Sequence, residues 1–186
     1  PEFYMKRLLA AGSGPIFQIS KAFRLEEAGH NHNPEFTMLE WYNPNYNYHD
    51  LMHEVDSLCQ QLLQSDPADK ITYHDLFQHH CGINPHTISP SELRKIAKSH
   101  QLDHLANDRD STLQLIMSYV IEPKLGQKKP IFIYDFPESQ AALAALRQDG
   151  AYAVAERFEM IYRSKEIATG FQELNCEKQQ RERFNQ

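Results

Sequence analysis

Residues 35–42 combine strand-forming side chains with groups that bind charged ligands. Successive side chains of an extended strand point to opposite faces, so the two faces of this segment differ in chemistry. One face is predicted to carry Phe36, Met38, Glu40 and Tyr42, and the other Thr37, Leu39 and Trp41. The first face therefore holds a ring, a carboxylate and a phenol. A surface strand often alternates in the same way, and the pattern alone leaves that simpler interpretation open.

An arginine follows the strand that precedes this segment. Residues 16–24 alternate between apolar and polar side chains, which predicts a half-buried strand with Phe17, Ile19 and Phe23 on one face. Polar residues 25–34 end in Asn33-Pro34 and separate the two strands, so we expect a long-looped antiparallel hairpin. Arg24 lies at the exit of the first strand, which brings a guanidinium near the same sheet surface as the carboxylates.

Four glutamates fall in otherwise apolar segments near the end of the chain: Glu156, Glu159, Glu166 and Glu173. Glu159 and Glu166 have a separation typical of a hairpin, and we expect them to face each other. Two such carboxylates would repel unless Mg²⁺ and phosphate oxygens lie between them. The alternative is a surface pair neutralised by Arg157 or Lys165. Glu166 and Glu173 differ in parity, so a shared face requires a bulge, for which Gly170 is the candidate.

The remaining pattern predicts the elements that position these groups. Helices are expected over 49–63, 89–98, 111–121, 139–146 and 177–186, and strands over 131–136, 155–162 and 167–174. Residues 66–126 are predicted to be a mostly helical insertion between two site-bearing blocks, 1–65 and 127–186. Strand blocks separated by helices indicate an α+β domain built on an antiparallel sheet with flanking helices.

Composition narrows the function classes. The chain has 186 residues, is 41% hydrophobic and carries a net charge of −6, which argues against broad binding to phosphate backbones. No apolar run approaches the roughly 20 residues of a membrane helix. Cys59, Cys81 and Cys176 form no paired motif, so we expect a reducing, cytoplasmic setting. His49 and His53 lie one helical turn apart, but without an obvious third ligand we expect a solvated face and no zinc site.

Several stretches resemble class II lysyl-tRNA synthetases. Residues 23–27 (FRLEE) and 32–42 (HNPEFTMLEWY) resemble motif 2 of that family. Residues 157–159 (RFE) and 166–174 (EIATGFQEL) resemble the segment before motif 3. Residues 1–8 (PEFYMKRL) resemble a further family segment, without its first serine. Within this family, Trp41, the Glu26-Glu27 pair and residues 136–141 (FPESQA) resemble the stand-alone paralogues that attach (R)-β-lysine to a lysine of elongation factor P. Motifs 1 and 3, which supply a dimer interface and a further ATP contact, have no counterpart here, so the chain is expected to be a fragment that lacks activity alone.

The resemblance implies roles for individual residues. Arg24 would be catalytic and would contact the α-phosphate of ATP, and Glu159 with Glu166 would bind Mg²⁺. The remaining ATP-binding residues would be Leu25, Glu26, His32, Asn33, Phe36, Glu166 and Ile167. A lysine-like substrate would be bound by Pro1, Glu2, Glu40, Tyr42, Phe171 and Glu173. Thr169 stands where the family usually has Asn, which removes an amide from the implied substrate pocket.

The resemblance also implies a reaction and partners. Lysine or (R)-β-lysine would be activated as an adenylate and passed to elongation factor P by a protein that is a homodimer at full length. One alternative is the catalytic core of a lysyl-tRNA synthetase, with tRNA as the acceptor. Another is a non-catalytic paralogue that binds adenylate-like ligands or a partner.

Overall fold

The computed structural model describes residues 2–25, 33–102, 106 and 108–184. These residues fall into two compact units, Pro1–Tyr46 and Asn47–Gln186. Their mixture of helices with largely antiparallel strands confirms the predicted α+β class.

The first unit is a helix followed by a two-stranded hairpin. Helix α1 (Glu2–Ala10) precedes β1 (Ile16–Phe23) and β2 (Glu35–Tyr42). The strands pair antiparallel in an unbroken register that runs from Ile16 opposite Tyr42 to Phe23 opposite Glu35. Directly opposed residues share a face, so the predicted hairpin and its face assignments are confirmed.

The hairpin exposes its more apolar face, contrary to what the alternation suggests. Phe17, Ile19 and Phe23 are 73%, 67% and 72% exposed, while Gln18, Ser20 and Ala22 are half-buried. The strand is therefore half-buried as predicted, but its covered side is the polar one. That side is also the one that carries Phe36, Glu40 and Tyr42, which are themselves half-buried.

The second unit packs helices on both sides of a five-stranded sheet. In chain order its elements are α2 (Tyr48–Leu63), β3 (Asp69–Thr72), α3 (Tyr73–Cys81), α4 (Pro90–Ser99), α5 (Arg109–Ile116), β4 (Ile131–Pro137), β5 (Leu146–Asp149), β6 (Tyr152–Tyr162), β7 (Lys165–Phe171) and α6 (Glu177–Phe184). A π-helical turn (Met117–Ile121) extends α5. β4 pairs with β6 along one edge, and β5 and β7 pair successively along the other.

Helix α2 covers one face of this sheet. Asn47 begins the helix with a capping box in which its side chain accepts from the Asp50 amide and the Asp50 carboxylate accepts from the Asn47 amide. The helix lies close to β6 and β7. A Cβ added at Gly170 would come within 2.9 Å of Leu51 and 2.5 Å of the Phe158 ring, so this position needs glycine for packing.

Helices α3 to α5 cover the other face. Their buried residues form one hydrophobic core with sheet residues that include Ile133 of β4 and Ile161 of β6. The helix predicted over 89–98 is present as α4, and a capping box at Ser89 begins it. Among the described residues, no helix combines the length and the apolar character needed to cross a membrane.

Two local expectations were wrong. Residues 139–146 form no α-helix, because Ala142 has a positive φ of 48° and the following backbone is used for sheet pairing. The Ala145 amide donates to the Gln172 carbonyl at 2.8 Å, so long-range pairing overrides local helix propensity. The sequence pattern also missed β3, a four-residue strand parallel to β4.

Candidate active site

The half-buried face of the hairpin carries a fixed carboxylate at one end. Glu40 accepts a hydrogen bond on each oxygen, from Tyr42 Oη at 2.6 Å and from Gln18 Nε2 at 2.8 Å. Gln18 lies directly opposite Glu40 in the register, so the bond crosses from β1 to β2. An ionised carboxylate has about four acceptor positions, which leaves room for an incoming ammonium group.

The other end of the same face carries a guanidinium beside a ring. Arg24 follows β1, and its amide donates to the Pro34 carbonyl at 3.0 Å, which continues the strand pairing by one step. The Arg24 guanidinium carbon lies 5.4 Å from the centre of the Phe36 ring. Asn33 and Leu25 are exposed beside these residues in the chain. An arginine fork suits a phosphate, and a ring suits a flat base.

Four further site residues were predicted in the first unit, and the structure describes one of them. Pro1, Glu26 and His32 lie outside the described residues. Glu2 is in the first turn of α1 and forms an ion pair with Lys6 at 2.7 Å.

Strands β6 and β7 carry the second group of predicted residues. A two-residue turn, Arg163-Ser164, joins them with positive φ at both positions, as a tight hairpin requires. Glu159 pairs with Thr169 and Glu166 with Ile161, so the expectation that the two carboxylates oppose each other directly was wrong. They nevertheless lie on the same face of the sheet.

A β-bulge in β7 produces this shared face. Met160 pairs with Ala168 and the next residue, Ile161, pairs with Glu166, so Ile167 is the extra residue. The bulge predicted from parity is therefore present, but at Ile167 and not at Gly170. Gly170 has a different role, the close packing against α2.

Glu159 is the most electrostatically perturbed carboxylate of this region. Burial raises its pKa to about 7, the nearby Arg157 guanidinium opposes that rise, and Glu166 and Glu122 add to it. Arg157 forms an ion pair with Glu159, also donates to the Gln140 carbonyl at 3.0 Å, and lies over the Phe136 ring. Glu159 thus has the neutralising partner that the sequence offered as the alternative.

The carboxylates of this face suit a cation that phosphate oxygens also bind. Burial and the neighbouring Glu166 raise the pKa of Glu122 as well, so the carboxylates of this region are close enough to influence one another. In the described part of the chain, no group of three or more His, Cys, Asp or Glu residues is arranged to hold a metal alone. Mg²⁺ commonly takes one or two carboxylates and completes its shell with water and phosphate, so Glu159 and Glu166 fit that ion.

The remaining predicted residues extend the same strand. Phe171 pairs with Arg157 and packs against the hydrophobic core, and Glu173 is half-buried and bridges to Ala144. Thr169 donates from its hydroxyl to the Phe158 carbonyl at 3.1 Å. The Ile167 side chain is 42% exposed at the bulge.

Sequence reasoning missed two residues. Gln18 lies on the polar face of an alternating strand, but its position opposite Glu40 depends on the register of the hairpin, which alternation alone does not determine. Glu122 was placed in the insertion without a role, and no local signal connected it with Glu166.

We expect Glu159→Gln to reduce the pH dependence of unfolding. The folded-state pKa is raised from 4.5 to about 7, so the folded protein binds more protons than the unfolded chain in that interval. Its free energy of unfolding therefore falls as pH rises from 4.5 to 7, by ~3 kcal/mol at about 1.4 kcal/mol per unit.

Urea unfolding at pH 4.5 and 7.5 measures this contribution as a difference between variant and wild type. Glu156→Gln, on the same strand, is the matched control and should retain the wild-type pH dependence. An unchanged pH dependence in Glu159→Gln would contradict the assignment.

The sequence of the chain is similar to that of known proteins along its whole length. The model for the family of class II tRNA synthetases (D, K and N) matches residues 1–186. The chain therefore belongs to the class II tRNA synthetase family.

Its relatives carry a more specific name. Elongation factor P–(R)-β-lysine ligase from Haemophilus influenzae strain PittGG is 52% identical over 185 residues, which cover 99% of this chain and 57% of the relative. The ligases of the same name from Erwinia tasmaniensis and Histophilus somni strain 2336 are 49% and 51% identical, and in each case 100% of this chain and 58% of the relative are covered. The chain thus spans somewhat more than half the length of these relatives.

Proposed function

We propose that the chain belongs to an ATP-dependent ligase that activates (R)-β-lysine or lysine as an adenylate and transfers it to a lysine of elongation factor P. The name shared by the relatives supports the substrate and the acceptor. The family supports adenylate chemistry.

The observation that carries this proposal is the polarity of the hairpin face. Phe36 lies opposite Ala22, and Glu40 lies opposite Gln18, four residues further along. Four residues of strand span about 13 Å. The hairpin face thus has an aromatic and cationic end, which suits a nucleotide, and an anionic end, which suits an ammonium group. The distance between the two ends is about the length of an extended ligand.

Arg24 would act at the step in which the substrate carboxylate attacks the α-phosphorus and pyrophosphate leaves. Its guanidinium would stabilise the negative charge that builds on the phosphoryl oxygens. Phe36 would stack on adenine, while Leu25, Glu26, His32, Asn33 and Ile167 would complete the nucleotide contacts.

Carboxylates would select the diamine substrate. Glu40, oriented by its two hydrogen bonds, would pair with an ammonium group of lysine, and Tyr42 would line the same end of the face. Pro1, Glu2, Phe171 and Glu173 would be the further substrate contacts.

Glu159 and Glu166 would hold Mg²⁺. When bound, this ion would neutralise charge on the departing pyrophosphate. A cation bound there would favour the ionised form of Glu159 and would lower its raised pKa.

The second step requires no nucleophile from the protein. The acceptor amine attacks the acyl carbon of the adenylate and releases a proton to solvent, an amide bond forms, and AMP leaves with the electron pair of the broken bond. The three cysteines are unpaired, in keeping with a reducing compartment, and we place the reaction in the cytoplasm with a homodimeric enzyme.

An acceptor assay tests the proposal. The protein expressed from its intact gene is incubated with ATP, Mg²⁺ and either (R)-β-lysine or lysine, and is offered elongation factor P or tRNA. We expect the factor to gain the mass of the amino acid and tRNA to remain uncharged. Charged tRNA with an unmodified factor would instead identify a lysyl-tRNA synthetase, and no pyrophosphate exchange would identify a non-catalytic binder.

A further inference from the structure

We infer that Gln18 is a positioning residue that holds Glu40 in the orientation needed to bind the substrate ammonium. The inference rests on the proposed function and extends it to a residue outside the two stretches that resemble motif 2. Its basis is the bond from Gln18 Nε2 to Glu40 Oε2, 2.8 Å long.

The chemistry of the pair fixes the direction of this bond. An ionised carboxylate can only accept hydrogen bonds, so the Gln18 amide must present its nitrogen to Glu40 and direct its oxygen elsewhere. Tyr42 holds the other Glu40 oxygen at 2.6 Å. Two donors on two oxygens leave the carboxylate one orientation and keep its remaining lone pairs for a ligand.

The backbone makes Gln18 a rigid donor. Gln18 and Glu40 are directly opposed in the register of β1 and β2, and both are half-buried, so the bond crosses between paired strands. A carboxylate held in place before binding has less side-chain freedom to lose when the ligand arrives. Gln18 therefore contributes to affinity for the amino acid without touching it.

The position of Gln18 predicts which substrate is affected. Arg24 lies six residues further along the chain, about 20 Å in an extended strand. Loss of the Gln18 amide should therefore weaken the binding of lysine and leave the binding of ATP unchanged.

The test is Gln18→Met, which preserves side-chain length and removes the donor. Pyrophosphate exchange by the intact protein should show a KM for lysine raised on the order of tenfold, as expected for a lost hydrogen bond to a charged group, with the KM for ATP within about twofold of wild type. Lys21→Gln is the matched control, because Lys21 makes an ion pair from β1 to Glu35 of β2 on the opposite face, at 3.1 Å.

The outcomes are distinct. A wild-type KM for lysine in Gln18→Met would overturn the inference, and so would an equal rise in both KM values, which indicates a general defect of the hairpin. If the wild-type protein itself exchanges no pyrophosphate, the proposed function fails instead.

Discussion

Arg24→Ala should lower ATP–pyrophosphate exchange by roughly a thousandfold or more. Removal of one preorganised donor for developing charge typically costs 10²–10³ in rate, and the arginine fork supplies two donors together with a full charge. Arg24→Lys retains the charge but loses the fork, so we expect an intermediate rate. The measurement is exchange of labelled pyrophosphate at saturating ATP and lysine.

The fold should tolerate this change. The Arg24 side chain is exposed, and the hydrogen bond that continues the hairpin comes from its backbone amide. Arg163→Ala is a matched control, because Arg163 is also an exposed arginine over a ring, 5.0 Å from the centre of Tyr162, but lies in the β6–β7 turn. Wild-type exchange in Arg24→Ala would refute the catalytic role.

The second large effect is on stability, at Gly126. A Cβ at this position would come within 2.6 Å of the Ile161 carbonyl oxygen and 2.8 Å of the Tyr162 Cα. These are backbone atoms, which cannot move aside by changing rotamer. The φ of Gly126 is +64°, which adds a penalty of about 1–2 kcal/mol for any residue with a Cβ. Gly126→Ala should therefore lower the free energy of unfolding by about 4 kcal/mol.

Gly150→Ala separates the two causes. Gly150 has a similar φ of +59°, but no atom lies within 4 Å of the added carbon. We expect this control to lose only about 1–2 kcal/mol, the cost of the backbone conformation. Equal losses in the two variants, measured by denaturant unfolding, would show that the close approach at Gly126 has no energetic weight.

Gly126 also connects this stability to the candidate site. Its carbonyl accepts from the Arg163 amide at 2.8 Å, and the neighbouring Leu125 carbonyl accepts from Ser164 at 3.2 Å. The loop thereby holds the tight turn that leads into Glu166. Loss of stability at Gly126 should therefore disturb the sheet face that carries Glu159 and Glu166 before it disturbs helices far from this loop.

Local periodicity was sufficient for the elements whose own residues determine them. The hairpin was predicted from alternation, α2 from its 3.6-residue apolar stripe, α4 from the residues that begin it, and β4 from a short apolar run. Strand parity also placed Phe36, Glu40 and Tyr42 on one face, because alternation is a property of the strand alone.

Long-range pairing explains the failures. Residues 139–146 have a helix-favouring composition, but their backbone pairs with the segment after β7, about 30 residues later. A pattern within these eight residues cannot indicate a partner so distant in the sequence. The bulge was deduced from parity, yet its position at Ile167 depends on the register with β6. The sequence offered Arg157, two residues from Glu159 on the same strand, as an alternative partner. The Glu159 pKa is governed mainly by burial, which depends on residues that are distant in the sequence.

The exposed side of the hairpin has a practical consequence for work with residues 1–186 as a separate chain. Segment 16–23 combines high strand propensity with a row of exposed apolar side chains, and such segments drive self-association when they meet a second copy. Lys21 is the single charge within that row and interrupts it. The strand that presents Gln18 to the ligand face is thus also the segment where added hydrophobicity would reduce solubility, so substitutions on its outer side should keep a polar residue at position 21.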